Sequence, residues 1–182
     1  MSSSTALIVI DVQKSFENRP YWDESELPAF SSRLTRLIES AHARQIPVVR
    51  VLHREATGAF SVESGLVRPM DWLPPIHDVE FVKTVHNAFT DTGLDHWLRT
   101  RGIRRLIISG IRTEQCCETT TRVASDLGYE VDFVTEATLT FAMTHAGSGR
   151  CYDSAEIKAR TELVLAERFA RICSVEEALE AA

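Results

Sequence analysis

The sequence lacks the marks of most specialised protein classes. Only four cysteines occur in 182 residues: Cys116, Cys117, Cys151 and Cys173. That is too few for a disulfide scaffold, and a chain of this length can bury a core without one. No Cys-x-x-Cys pair is present, which excludes a zinc ribbon or a thioredoxin-type motif. The six histidines show no His-x-His or His-Glu-x-x-His spacing, so no metal is expected. No Gly-x-Gly-x-x-Gly and no P-loop occur, and no cofactor is expected. Positive charge is not in excess: the formal net charge is −6, which offers no field for nucleic acid or anionic lipid. The cluster Arg99, Arg101, Arg104 and Arg105 has no interleaved aromatics and reads as a solvated surface. No apolar run approaches the roughly 18 residues of a membrane span. The start, Met1-Ser2-Ser3-Ser4-Thr5, shows no basic segment followed by an apolar stretch. A reduced, cytoplasmic setting is therefore the expectation.

What is present is ordinary globular composition, 44% hydrophobic and 25% charged, arranged as short apolar runs alternating with helical periodicity. With no repeat and no low-complexity linker, one domain over 1–182 is expected. Strands are expected at Ala6–Ile10, Pro47–Leu52, Val79–Val82, Leu106–Gly110, Val131–Val134 and Ala170–Cys173. Helical spacing falls on Phe30 to Ala41, Leu94 to Leu98, Cys117 to Ala124 and Ile157 to Leu165. Thr113 is placed as an N-cap, and Ser174 caps a terminal helix. Strands separated by helices give an α/β fold, a parallel sheet with helices on both faces. Gly147-Ser148-Gly149 reads as a turn. The stretches 13–26 and 54–78 fit no period; they are either functional loops or packed satellites.

Ligands of open parallel sheets bind beyond the carboxyl ends of the strands. Asp11, His53, Lys83, Gly110 to Cys116 and Thr135 to Ala137 follow those ends. An acid, an amine and a thiol therefore converge on one edge. Cys116 in the first turn of a helix, with Lys83 nearby, would favour a thiolate, and Asp11 could take the thiol proton. Taken singly, each has a plainer reading: a core cysteine, a turn carboxylate, a surface lysine. Cys117, on the apolar helix face, is the better candidate for core packing.

Three segments carry a resemblance. They are Ala6-Leu7-Ile8-Val9-Ile10-Asp11-Val12-Gln13, Phe81-Val82-Lys83-Thr84-Val85-His86-Asn87-Ala88-Phe89 and Gly110-Ile111-Arg112-Thr113-Glu114-Gln115-Cys116-Cys117. In order and spacing from about Ala6 to Leu179, the chain resembles the isochorismatase-like cysteine hydrolases. These include nicotinamidases, N-carbamoylsarcosine amidohydrolases and ureidoacrylate-type amidohydrolases. The resemblance implies a three-layer α-β-α fold with a six-stranded parallel sheet and an Asp11–Lys83–Cys116 triad. It also implies a cis peptide at Ile111-Arg112, with the Arg112 and Cys116 N–H groups forming an oxyanion hole, and a dimer or tetramer. Nicotinamidases carry an Asp-x-His metal element where this chain has Val51-Leu52-His53, so no metal site is implied. Isochorismatases proper lack the cysteine found here as Cys116.

These readings lead to a cysteine hydrolase cleaving a carbon–nitrogen bond of a small amide, ureido or carbamoyl substrate through a thioester. Candidate substrate-binding residues are Gln13, Phe16, Tyr21, Trp22, His53, Trp72, Asn87, Phe89, Arg112 and Gln115. The Arg112 side chain would reach either a substrate carboxylate or a neighbouring subunit. The alternative is a catalytically silent binding or redox-sensing protein on the same fold, with Cys116 as the reporting thiol.

Overall fold

Side-chain alternation along the first strand sets the layering. In β1 (Thr5–Ile10), Leu7 and Val9 enter one apolar cluster while Ala6, Ile8 and Ile10 enter another, and all six residues are buried. A strand apolar on both faces needs a helical layer on each side. The first layer is α1 (Leu27–Ala43), which buries Phe30, Leu34, Leu37, Ile38 and Ala41 at helical spacing, joined by the terminal α5 (Val175–Glu180). The second is α2 (Leu94–Thr100), α3 (Glu118–Asp126) and α4 (Ser154–Leu165), contributing Leu94, Leu98, Ala124 and Leu165. Each such fully buried leucine stabilises the fold by about 1.5–3 kcal/mol relative to exposure.

The computed structural model describes residues 4–182; Met1–Ser3, part of the stretch read for a leader, lie outside the described residues. The other strands are β2 (Val48–His53), β3 (Val79–Lys83), β4 (Arg105–Ile111), β5 (Glu130–Leu139) and β8 (Arg171–Ile172). They form one six-stranded parallel sheet with β1, in the order β3-β2-β1-β4-β5-β8. The expected three-layer α-β-α arrangement is therefore what forms. A separate antiparallel hairpin, β6 (Met143–Thr144) and β7 (Cys151–Tyr152), carries Gly147-Ser148-Gly149 at its turn. Among the described residues, no helix is long and apolar enough to cross a membrane.

Local chemistry explains most boundaries. Ser174 caps α5 as expected: its Oγ accepts from the Glu177 N–H while the Glu177 carboxylate accepts from the Ser174 N–H. Asp153 and Glu156 form the same reciprocal cap on α4. Two expectations need correction. Thr113 is not an N-cap: its hydroxyl pairs with Thr138 Oγ1 at 2.7 Å, and the segment Thr113–Cys117 is a π-helical turn leading into α3. The fifth strand does not end at Val134. It runs on to Leu139 because its register against β4 jumps from Ile108↔Phe133 to Gly110↔Thr138. Thr135 to Ala137 therefore lie within the sheet and not at its ligand edge.

Gly110 lets β4 lie close against β1. It has φ +126, and a Cβ there would sit 2.0 Å from the Ile10 carbonyl oxygen. Gly102 also has positive φ (+70), but open space surrounds its missing Cβ. Gly110→Ala is expected to cost about 3 kcal/mol or more, at or beyond the upper end of overpacking. Gly102→Ala should cost about 1–2 kcal/mol, the left-handed penalty alone. Urea unfolding of the two variants checks the difference, and equal losses would show that contact with β1 is unimportant.

Candidate active site

The carboxyl ends of β1, β3 and β4 supply three chemically distinct groups. Asp11 follows β1 in a left-handed conformation (φ 53), and its N–H donates to the Val51 carbonyl at 2.8 Å. Aspartate tolerates this region better than most residues. Lys83 is the last residue of β3, with a completely buried side chain. Cys116 lies in the π-helical turn after β4 and is also buried. Single π-turns are rare and concentrate at functional sites.

The Lys83 ammonium joins the group. Its Nζ lies 2.8 Å from Asp11 Oδ2, 3.1 Å from His53 Nδ1 and 3.4 Å from Cys116 Sγ. An ammonium has three protons and no acceptor lone pair. His53 Nδ1 must therefore be the acceptor, which puts the imidazole proton on Nε2, 3.6 Å from Glu55 Oε1. Burial lowers the His53 pKa, and the Lys83 charge lowers it further, so the ring is neutral. Neither oxygen of Asp11 receives a well-aligned hydrogen bond, so the carboxylate is held by charge and keeps lone pairs open.

Burial also decides the resting protonation of the site. It raises the Asp11 pKa above the ordinary carboxylate value, with Lys83 opposing. Burial alone would lower Lys83, but Asp11 and then Cys116 outweigh it and hold the amine charged. Burial, reinforced by the Asp11 charge, pushes the Cys116 thiol far up, with Lys83 opposing only in part. The sequence-based expectation of a resting thiolate is thereby corrected. The resting group is a neutral thiol beside a carboxyl of raised pKa and a charged lysine.

These groups open onto a small cavity of about 240 Å³. Of the anticipated residues, Phe16, Tyr21, His53, Arg112 and Gln115 line it together with Asp11 and Cys116. The Arg112 guanidinium stacks 4.7 Å from the Tyr21 ring, and its Nη2 pairs with Glu114 Oε1 at 3.0 Å. Its side chain therefore faces the cavity. The Ile111-Arg112 peptide is cis.

Five anticipated residues lie elsewhere. Gln13 is fully buried and bridges two strand ends, accepting from the His53 N–H at 2.7 Å and donating to the His53 carbonyl at 2.9 Å. Trp22 packs on Phe141, and Trp72 meets Phe30 edge-on behind α1. Asn87 caps its own turn by accepting from the Phe89 and Thr90 N–H groups. Phe89 stacks on Tyr129 in the core. Conversely, Arg19, Glu55, Phe60 and His86 line the cavity and were not anticipated. Phe60 was visible as an aromatic in the aperiodic stretch 54–78, and His86 and Glu55 follow Lys83 and His53 closely. Larger hollows exist, one of about 720 Å³ beside β6 and β7, but it lies apart from the Asp11, Lys83 and Cys116 cluster.

A model of the isochorismatase domain matches residues 5–175. The chain belongs to the isochorismatase family. It is 26% identical over 186 residues to the isochorismatase family protein YrdC of Bacillus subtilis, covering 97% of this chain and 95% of that one. It is 29% identical over 156 residues to nicotinamidase 3 of Arabidopsis thaliana, covering 77% and 75%. A crystal structure of an isochorismatase-family hydrolase from Chromobacterium violaceum superposes with a TM-score of 0.87 at 25% identity, covering 100% and 95%. Val51, two residues before His53, has its side chain buried in the apolar layer with Val49 and Ile10.

The electrostatics yield a measurable order of reactivity. Against pH, iodoacetamide labelling of Cys116 should rise later than that of exposed Cys151, because burial favours the neutral thiol. Lys83→Met removes the one charge that lowers the Cys116 pKa, so the Cys116 curve should move to still higher pH. Peptide mass spectrometry reads both sites. A Cys116 curve coincident with that of Cys151 would contradict the burial argument.

Proposed function

We propose that the chain is a cysteine amidohydrolase that cleaves a carbon–nitrogen bond of a small amide, ureido or carbamoyl compound. The observation that carries this reading is the buried Lys83 ammonium touching both Asp11 and Cys116, which line a small cavity. A sulfur nucleophile, a carboxylate able to accept its proton and a fixed positive charge are the parts such a reaction needs.

In this mechanism Cys116 Sγ attacks the substrate carbonyl carbon as its proton passes to Asp11. The new oxyanion rests on the backbone N–H groups of Arg112 and Cys116, where one missing donor would cost about 2.7–4 kcal/mol. Asp11 then gives its proton to the leaving nitrogen, the C–N bond breaks and a thioester remains. Water attacks the thioester with Asp11 taking its proton. The C–S bond breaks, the acid departs and the proton returns to sulfur. A carboxylate with a raised pKa suits both halves, since it must accept and then release the same proton. Lys83 keeps charge balanced when the thiolate forms, and neutral His53 holds the lysine in place.

Several features support a small substrate. The cavity is smaller than the roughly 300 Å³ at which pockets for drug-sized ligands begin. Phe16, Phe60 and Tyr21 supply flat apolar walls. The competing redox-sensor reading needs a thiol that ionises readily, and burial drives Cys116 the other way.

The test is ammonia release from a panel of small primary amides, ureides and carbamoyl compounds. Cys116→Ala should reduce turnover at least 1000-fold, about 4 kcal/mol of barrier, with the circular dichroism spectrum unchanged. Asp11→Asn should lose a comparable factor. Full activity in either variant, or no turnover anywhere in the panel, would overturn the assignment.

A further inference from the structure

Phe60 lines the cavity from a segment unlike the other walls. It sits in the strap 55–66, which follows β2 and holds two short 3-10 turns, Gly58–Phe60 and Val62–Ser64. Among the described residues, the hydrogen bonds of 56–65 all end within 55–66. The Phe60 carbonyl accepts from the Glu55 N–H at 2.8 Å, and Ser64 Oγ donates to the Ala59 and Ser61 carbonyls at 3.0 and 2.6 Å. The tie to the body comes at Leu66, whose carbonyl accepts from Ser15 Oγ at 3.0 Å. A segment without hydrogen bonds to the body is held by what its side chains pack on. Phe60 is its one large buried side chain, 5% exposed, whereas Val62 is 61% exposed. The Phe60 ring meets Phe16 edge to face at 5.0 Å and lies 5.7 Å from the His53 ring.

The other aromatic walls are backed differently. Phe16 sits in the turn Lys14–Asn18 directly after β1, where its N–H donates to the Gln13 carbonyl at 3.3 Å and its carbonyl accepts from the Arg19 N–H at 2.9 Å. Tyr21 packs between Phe141 and the Arg112 guanidinium. Beside the strap lies a second hollow of about 580 Å³, lined in part by Ala56, Val62 and Glu63, and Glu55 borders both it and the cavity. Cutting back Phe16 widens the same cavity, whereas cutting back Phe60 breaches the strap.

We propose that Phe60 is a specificity-determining residue that sets the upper size of the group presented to Cys116. The ring it abuts cannot give way, because His53 is clamped through its backbone by Gln13 and accepts from Lys83 through Nδ1. A rigid wall rejects an oversized substituent by clash, which discriminates without any attractive contact to the accepted one. The compound cleaved then carries no aryl or branched substituent on the side facing Phe60. That narrowing rests on the hydrolase reading; the size limit itself does not.

Cys116 reports the limit without turnover. Cys116 and exposed Cys151 are alkylated in parallel with iodoacetamide and with N-(1-naphthyl)iodoacetamide, which share a reactive carbon and differ by one flat ring system. The naphthyl-to-iodoacetamide rate ratio at Cys116, divided by the same ratio at Cys151, cancels the difference in thiol ionisation. In the wild type it should lie about tenfold or more below one, the scale of discrimination by pocket size. Phe60→Ala should raise it at least fivefold, and Phe16→Ala less than twofold. A wild-type ratio near one, an unchanged ratio in Phe60→Ala, or an equal gain in Phe16→Ala overturns the proposal. Failure of wild-type Cys116 to react with iodoacetamide also overturns it, because the closed cavity then imposes no graded limit.

Two controls keep the test independent of folding. Buried Cys117 and Cys173 stay unlabelled in any variant that folds, so their labelling identifies an opened chain. Phe60→Trp changes the wall in the opposite sense and should slow iodoacetamide labelling of Cys116 at least threefold with Cys151 unchanged; equal or faster labelling in the folded variant counts against the wall. The labelling ratio judges the size limit, and the amide panel with Cys116→Ala judges the hydrolysis, so each can fail without the other.

Discussion

A single buried ammonium organises the functional end of this molecule. Lys83 has no exposure to water, and an unpaired charge there would cost several kcal/mol. It persists because a carboxylate lies 2.8 Å away and an imidazole nitrogen and a sulfur accept its hydrogen bonds. The protonation of its neighbours follows. His53 is neutral with its proton on the far nitrogen, while burial raises the pKa of both Asp11 and Cys116 and the Lys83 charge opposes it at each. The site is preorganised in the sense that matters for catalysis: the dipoles and charges are set before any substrate arrives.

The sheet explains why these groups meet. β1, β2, β3 and β4 are neighbours, so the residues after them share one edge although Asp11 and Cys116 are far apart in sequence. Gln13 ties the end of β1 to that of β2 by a pair of hydrogen bonds with the His53 backbone, and Gly110 lets β4 pass close to Ile10. The positions of Asp11 and His53, each touching Lys83, are therefore fixed by backbone contacts and do not depend on the flexibility of long side chains.

Much of this could be read from the chain itself. The apolar runs Ala6–Ile10 and Leu106–Gly110 could only be buried strands, and the edge rule then brought Asp11, Lys83 and Cys116 to one place. The helix of Phe30 to Ala41 was plain from its spacing. The errors share one physical origin: local sequence gives a residue's type but not its aim. Gln13 resembled a polar pocket residue and is a strand brace. Trp72 and Phe89 resembled pocket walls and pack into apolar layers. The length of β5 depended on a register jump against β4 that no periodicity reveals. The sign of the Cys116 shift was misjudged for a related reason. A helix start and a nearby lysine are visible in sequence, whereas the burial that outweighs them arises only when the layers close.

That closure has a chemical side effect. In the folded state Cys116, Cys117 and Cys173 are buried, and burial drives each thiol away from ionisation; Cys151, on the β6–β7 hairpin, is the exposed one. An unfolded copy presents all four at the ordinary thiol value, near about 8.5. Peroxide and other electrophiles that select the thiolate therefore discriminate between folded and unfolded copies of the same chain. Folding shields the Cys116 sulfur as well as placing it beside Lys83, and its oxidative loss should track the time the chain spends open.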